Sequence, residues 1–175
     1  MILEIAVLLT RFNFISQKDD GSEIAALIKR SFAIKQNKCD VIYDSKCFQI
    51  VAYETGNVTF TDVEPTCKSK NIGKLANIHD LAHYKLLVSY IRSLIPAGRS
   101  DIYIWTGMEY KNNKLLLNDG RPYTIATNVW YPGHPSSAAP RTSVAIYLRK
   151  DPGYAYQGMF SEHPSWTKHG VICEM

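Results

Sequence analysis

The sequence predicts an α+β fold, in which helices and strands lie in separate parts of the chain. The predicted order is a strand, two helices, a second strand, a long irregular stretch and closing strands. The first strand, residues 46–56 (KCFQIVAYETG), is rich in aromatic and β-branched residues and ends at a turn. With 175 residues, 46% of them hydrophobic, the chain is large enough to bury a core.

The first predicted helix begins after this strand and contains a cysteine. Its capping box is formed by Thr59 with Asp62 or by Thr61 with Glu64. Pro65 requires a late start, near Thr61, because proline has no N–H to donate inside a helix.

The second predicted helix runs from Asp80 to about Leu94, with Asp80 as its N-cap. One face of this helix carries the apolar residues Tyr84, Leu87, Val88, Ile91 and Leu94. A strand buried on both sides follows at residues 101–108, and residues 111–142 are rich in loop and turn residues. The closing strands are predicted in the segments SVAIYLR and GVICEM.

The charge pattern excludes several classes of partner. The net charge is +4, and the lysines and arginines are scattered, which favours a solvated surface over a nucleic-acid site. No apolar run approaches the roughly 20 residues that a membrane-spanning helix needs. The sequence therefore predicts no nucleic-acid partner and no membrane span.

The four cysteines indicate an oxidising compartment. They are widely spaced and none belongs to a CxxC pair, so zinc-ribbon and thioredoxin-type sites have no support. An even number with this spacing is typical of two disulfides in an extracellular or secreted protein. Residues 57–59 (NVT) form an N-glycosylation sequon with Asn57 as the acceptor.

Residues 1–38 are predicted to be an N-terminal segment, separate from a domain at residues 39–175. The apolar run at residues 2–9 is interrupted by Glu4, so a signal peptide, an amphipathic helix and a truncated start all fit it. Residues 22–34 have helical periodicity, which favours a short amphipathic helix. A coiled-coil neck that makes a homo-oligomer is the alternative, but the segment covers under two heptads.

From about Cys39 to the end, several segments resemble the C-type lectin-like domain in order and spacing. Trp105 and Gly107 stand in the matching places of the family's tryptophan-isoleucine-glycine-leucine strand. The other segments that carry the resemblance are TFTDVEPTC, GKLANI, VWYPGHP and VICEM. The resemblance implies the long form of this fold and a binding function at its long loop.

The resemblance also implies how the four cysteines pair in disulfides. It implies that Cys67 pairs with Cys173 and that Cys39 pairs with Cys47. Most family members carry a further pair at the long loop, and here Ser143 and Ser165 occupy those positions. The base of the loop is therefore expected to depend on packing near Trp166, and the loop to be more mobile than usual.

The calcium motif of sugar-binding members is degenerate in this sequence. His134-Pro135-Ser136 replaces the family's Glu-Pro-Asn, and Phe160-Ser161-Glu162 replaces its Trp-Asn-Asp, with Arg141 nearby. Calcium prefers six to eight oxygen ligands with carboxylates among them, so this set predicts no calcium and no other cofactor. Without a metal, the His134–Pro135 peptide is expected to be trans.

Two histidines allow an interpretation of another class. His79 and His83 have the i, i+4 spacing of zinc hydrolases, with Asp80 in place of the general-base glutamate. The favoured interpretation is that Asp80 caps the helix and both histidines face solvent. No serine lies in a GxSxG context, and the disulfides leave no free cysteine, so the protein is not expected to be an enzyme.

Aromatic residues around the loops mark the predicted ligand surface, residues 128–141 with residues 154–162. Trp105 and Trp166 are instead expected in the core. The candidate ligand-binding residues are Trp130, Tyr131, His134, Ser136, Arg141, Tyr154, Tyr156 and Glu162. The predicted function is extracellular, calcium-independent binding of a protein or glycan ligand. The alternatives are a lectin with a rearranged sugar site, metal-free or weakly metal-bound, and a zinc hydrolase that uses His79 and His83.

Overall fold

The computed structural model describes residues 39–138 and 140–175. The predicted signal peptide, the short helix and the coiled-coil neck lie outside these residues. Within them, nine strands and two α-helices form the α+β arrangement that the sequence predicts.

The elements follow the predicted order, with additional short strands. The helices are α1 (Val63–Ser69) and α2 (Leu81–Ser93). The strands are β1 (Val41–Tyr43), β2 (Lys46–Ala52), β3 (Lys74–Leu75), β4 (Asp101–Lys111), β5 (Lys114–Leu116), β6 (Pro122–Tyr123), β7 (Ser143–Arg149), β8 (Gly158–Glu162) and β9 (Gly170–Glu174).

The strands join in one hydrogen-bonded network whose main path is β1-β2-β9-β4-β5-β6. Strand β3 also pairs with β9, and β7 pairs with both β4 and β8. Among the described strands, only β4 and β9 run parallel, with Ile104 opposite Gly170 and Trp105 opposite Val171. The last strand of the chain therefore lies between β2 and β4.

Helix α1 begins where the capping chemistry allows it. The Asp62 carboxylate accepts a hydrogen bond of 2.9 Å from the backbone N–H of Thr59, which confirms the first of the two predicted capping boxes. A 3-10 turn at Phe60–Asp62 precedes the helix. Pro65 is the third residue of α1, where its missing N–H costs no helical hydrogen bond.

Helix α2 begins at the predicted cap. The Asp80 carboxylate accepts a hydrogen bond of 2.8 Å from the backbone N–H of His83. His83, Leu87 and Ile91 are buried at intervals of four residues, so one face of the helix packs on the sheet. No helix in the described part of the chain has the length and apolar character needed to cross a bilayer.

The prediction that both histidines of α2 and its cap region face solvent was wrong for His83. Its ring is fully buried, stacked on Tyr43 at 4.7 Å and packed against Phe48 at 4.2 Å between ring centroids. Its Nδ1 accepts a hydrogen bond of 3.2 Å from the backbone N–H of His79. The β1-β2 hairpin covers the ring, so His83 is not open to the metal-bound water that a zinc hydrolase requires.

The central strands divide the core into two clusters. Ile102 and Ile104 of β4 pack in the cluster that includes α2, and Tyr103 and Trp105 pack in the other cluster. Successive side chains of a strand point to opposite faces, which explains the division. The indole N–H of Trp105 donates a hydrogen bond of 2.9 Å to the carbonyl oxygen of Val58, so the buried ring has its polar partner.

Two disulfides fix the ends of the described domain, with the pairing that the resemblance implies. Cys39 is bonded to Cys47, eight residues away in sequence. Cys67 of α1 is bonded to Cys173 of β9, 106 residues away. The second bond therefore encloses almost the whole domain.

Strand β8 and Trp166 differ from the predictions. The sequence analysis assigned no strand to residues 158–162, yet β8 is buried along its whole length and pairs with β7. The prediction of a core position for Trp166 was wrong, because the side chain is 56% exposed. The indole packs over the ammonium group of Lys168, at 5.4 Å from the ring centroid, and leaves its other side to solvent.

The two disulfides are expected to stabilise the fold unequally. In the chain-entropy model, removing the Cys67–Cys173 bond by a double change to alanine costs about 5 kcal/mol. The same change at Cys39 and Cys47 costs about 2.5 kcal/mol, because it opens a much shorter loop. Urea unfolding of the two variants measures both values, and equal losses would contradict this account.

His83 is expected to make the fold sensitive to acid. Burial lowers its pKa from 6.5 to about 4, with the charge of His79 as a second cause. Between those pH values the unfolded chain binds the extra proton, so stability falls as pH drops through this window, by up to about 3 kcal/mol. Unfolding free energies at pH 7 and pH 5 should differ less in His83→Leu than in the wild type. An equal difference in both proteins would show that another group titrates.

Candidate ligand-binding site

A cleft of about 290 Å³ lies on the face of the central strands opposite α2. It is lined by Tyr103, Tyr131, His134, Tyr147, Tyr154 and Phe160. We call it the tyrosine cleft. Strands β4, β7 and β8 supply Tyr103, Tyr147 and Phe160, and the loops around them supply the other three side chains.

The tyrosine rings contact one another along the cleft. Tyr103 and Tyr147 are directly opposite in the β4-β7 register and stack with their centroids 4.5 Å apart. Tyr131 lies 6.1 Å from Tyr147 and 6.2 Å from Tyr156. Tyr154 and Tyr156, which are 40% and 54% exposed, form the open edge. The cleft therefore has a partly buried floor and an accessible rim.

Charged groups beside the cleft are balanced within the protein. The Arg149 guanidinium lies 4.9 Å from the centroid of the Tyr154 ring, and its Nη1 lies 3.5 Å from Oδ2 of Asp101. Burial raises the pKa of Tyr103 to about 12, and the neighbouring Tyr147 acts in the same direction. The Tyr103 phenol is therefore a neutral hydrogen-bonding group at physiological pH.

The His134-Pro135-Ser136 triplet is bound to β8 through Ser161. Nδ1 of His134 accepts a hydrogen bond of 3.1 Å from the backbone N–H of Ser161. The Ser161 hydroxyl accepts a hydrogen bond of 2.8 Å from the backbone N–H of Ser136. It also donates a hydrogen bond of 3.1 Å to the carbonyl oxygen of Ser136. The His134–Pro135 peptide is cis, so the expectation of a trans peptide was wrong.

Burial lowers the pKa of His134, and the charge of Arg141 acts in the same direction, while Glu162 opposes both. The ring is therefore neutral at physiological pH. Because Nδ1 accepts the Ser161 N–H, the ring proton resides on Nε2.

Glu162 is the one carboxylate in the segment Phe160-Ser161-Glu162, and it is buried. Its Oε1 accepts a hydrogen bond of 3.0 Å from the backbone N–H of His163, and its Oε2 lies 3.8 Å from Nζ of Lys168. An ammonium group of the protein itself thus neutralises this carboxylate.

The structure brings some of the predicted ligand-binding residues together. Tyr131, His134 and Tyr154 line the cleft and Tyr156 contacts it. Arg141 is exposed, within electrostatic range of His134. Trp130 instead packs with the α2-side cluster, 6.4 Å from Tyr110. The role of each residue in binding stays a prediction.

Three lining residues were not among the candidate ligand-binding residues: Tyr103, Tyr147 and Phe160. Tyr103 and Tyr147 alternate with aliphatic residues along β4 and β7. Because successive side chains of a strand point to opposite faces, this alternation puts both tyrosines on the face away from α2. That alternation was a usable signal. Phe160 lay within the predicted ligand surface at residues 154–162, but its position on a buried strand was not predicted.

Two further polar residues have defined positions. Asn57 of the sequon is exposed, so its side chain is accessible for glycosylation, which stays a prediction. His169 is buried, and its Nδ1 accepts a hydrogen bond of 3.0 Å from the backbone N–H of Tyr103. Among the described residues, no group of three His, Cys, Asp or Glu side chains is arranged to hold a metal ion.

Ser161 is expected to stabilise the loop that carries the triplet. Ser161→Ala removes the hydroxyl that satisfies both backbone groups of Ser136, and we expect a loss of about 1–2 kcal/mol in the free energy of unfolding. Ser137→Ala, on the exposed part of the same loop, is the matched control and should have little effect. Similar losses in the two variants, measured by urea unfolding, would contradict this role.

Comparisons with known proteins agree with this architecture. The family model of the Lectin C-type domain matches residues 56–175. No curated protein matches the chain.

Several solved structures share the fold. Human lithostathine has a TM-score of 0.57 at 20% identity, covering 77% of this chain and 95% of its own. The carbohydrate-recognition domain of cow CD23, solved with a GlcNAc2Man3 oligosaccharide, has a TM-score of 0.55 at 17% identity, covering 76% and 89%. A calcium-independent type II antifreeze protein has a TM-score of 0.51 at 19% identity, covering 77% and 89%. Since the family model matches more than half of the chain, this protein belongs to the C-type lectin domain family.

Proposed function

We propose that this protein is an extracellular, calcium-independent recognition domain that binds a protein or glycan ligand through the tyrosine cleft. One observation carries the proposal. The polar atoms at the degenerate calcium motif are engaged within the protein, while the aromatic cleft beside them is open.

The donor set supports the calcium-independent part of the proposal. Calcium prefers six to eight oxygen ligands, and carboxylates compensate its charge. Here Nδ1 of His134 already accepts a backbone N–H, the Ser161 hydroxyl is hydrogen-bonded to the backbone of Ser136, and Glu162 is paired with Lys168. Calcium would have to displace these contacts and repel an ammonium group, so the residues present do not fit the ion.

The tyrosines support the binding part of the proposal. A phenol ring presents an apolar face and a hydroxyl group, a combination that suits sugar rings and protein interfaces alike. The volume of the cleft is close to the lower limit of typical ligand pockets. The two disulfides and the exposed sequon support an extracellular location.

Structures of the same fold support a glycan ligand and calcium independence separately. The cow CD23 domain was solved with an oligosaccharide, and one antifreeze relative is described as calcium-independent. A lectin with a rearranged sugar site is therefore the second candidate. It shares the cleft with the first and differs in whether the ligand is a glycan.

Calcium is expected to leave the stability of the domain unchanged. An ion that binds only the folded state raises the melting temperature by mass action. Thermal unfolding in millimolar calcium and in chelator should therefore agree within about 1 °C. A rise of several degrees in calcium would overturn the calcium-independent proposal.

The cleft is expected to hold the ligand in the absence of calcium. Glycan and extracellular-protein arrays, probed in chelator, identify the ligand class. Tyr154→Ala should then weaken binding of that ligand by about tenfold, as truncation of an aromatic contact does. Tyr53→Ala, which removes a 39% exposed tyrosine outside the cleft, is the matched control. Equal losses in both variants would place the ligand elsewhere.

A further inference from the structure

The side chain of Lys168 is buried behind the tyrosine cleft. It is only 5% exposed. Its Nζ lies between 5.2 and 5.4 Å from the centroids of four aromatic rings, those of Tyr103, Trp105, Phe160 and Trp166. Oε2 of the buried Glu162 lies 3.8 Å away. The ammonium group therefore occupies an aromatic cage with one carboxylate beside it.

The backbone holds Lys168 in this place. Its N–H donates a hydrogen bond of 2.8 Å to the carbonyl oxygen of Val58, and its carbonyl oxygen accepts one of 3.1 Å from the Val58 N–H. The same Val58 carbonyl oxygen accepts the indole N–H of Trp105. The start of the side chain is thus fixed against one ring of its own cage.

A buried ammonium group needs compensation. Burial lowers the pKa of Lys168, and the charge of Glu162 opposes this shift. Each aromatic face attracts a cation that lies within about 6 Å of the ring centroid. Glu162 and the cage together keep the cation in a position where an unpaired charge would not be stable.

The cage and the cleft share residues. Tyr103 and Phe160 line the cleft and also contact Lys168, which itself is not part of the lining. Glu162 follows Ser161, whose hydroxyl and N–H hold the His134 loop. One side chain therefore connects the floor of the cleft with the strand that anchors its rim.

We propose that Lys168 is a positioning residue of the tyrosine cleft, an internal cation that fixes Tyr103 and Phe160 in the floor of the cleft and holds Glu162, the one carboxylate of the degenerate calcium motif. The inference rests on the proposed function, because it assigns an organising group to the cleft described there. It also accounts for the lack of a stray negative charge at the degenerate motif, since Glu162 has a permanent partner.

The test compares the near-ultraviolet circular dichroism of folded variants. Lys168→Met keeps the length of the side chain and removes the charge. We expect its tyrosine and tryptophan signal to be largely lost and its far-ultraviolet spectrum to be retained, because the rings lose their fixed arrangement. A role in stability alone would leave the spectrum of the folded protein unchanged. Lys150→Met, at an exposed lysine, is the matched control.

A double-mutant cycle with Glu162→Gln tests the pairing. Lys168→Met alone leaves a buried carboxylate unpaired, and the equilibrium constant for unfolding should rise by about tenfold or more. Adding Glu162→Gln should recover part of that loss, while Lys168→Arg should retain more of the near-ultraviolet signal than Lys168→Met. Additive effects of the two single changes, or an unchanged spectrum in Lys168→Met, would overturn the proposal.

Should Lys168→Met fail to fold, Glu162→Gln alone decides the question. This change leaves the Lys168 ammonium group with the four aromatic rings and without a carboxylate partner. A near-ultraviolet spectrum identical to that of the wild type would overturn the proposal. Neither readout uses calcium or a ligand. A failure here is therefore distinct from a failure of the proposed function, which the calcium titration and the arrays test.

Discussion

Cys67 and Cys173 join the first helix to the last strand, and β9 in turn lies between β2 and β4. The chain between the two cysteines therefore begins and ends at the same place in the fold, where α1 is bonded to β9. A loop whose ends are held needs little regular structure, because the crosslink has already restricted the unfolded chain. Residues 124–138 accordingly contain no strand and no α-helix and still bring Tyr131 and His134 to a defined cleft.

Local chemistry made several elements predictable from the sequence. The capping box at Thr59, the cap at Asp80 and the bounds of β7 depend on neighbouring residues, and the structure has them as predicted. The environment of His83 depends instead on Tyr43 and Phe48, which lie far from it in sequence. No periodicity of the helix alone could show that a distant hairpin covers its first turn.

The residues of the candidate site likewise divide into those that the local sequence indicates and those that only the folded structure brings together. The aromatic residues that glycine and proline flank in the loops, Tyr131, Tyr154 and Tyr156, lie together at the rim of the cleft. The floor was missed because Tyr103 and Tyr147 meet only when β4 and β7 pair in register. Lys168 was also missed, since a lysine in a polar segment is typical of an exposed loop, and its aromatic partners come from three different parts of the chain.

The floor of the cleft belongs to strands of the core, whereas Tyr131, Tyr154 and Tyr156 come from connecting loops. Replacing a rim side chain thus disturbs few of the contacts that keep the domain folded. The chain could serve as a display scaffold in which the rim is randomised to select new specificities while its supporting framework stays constant.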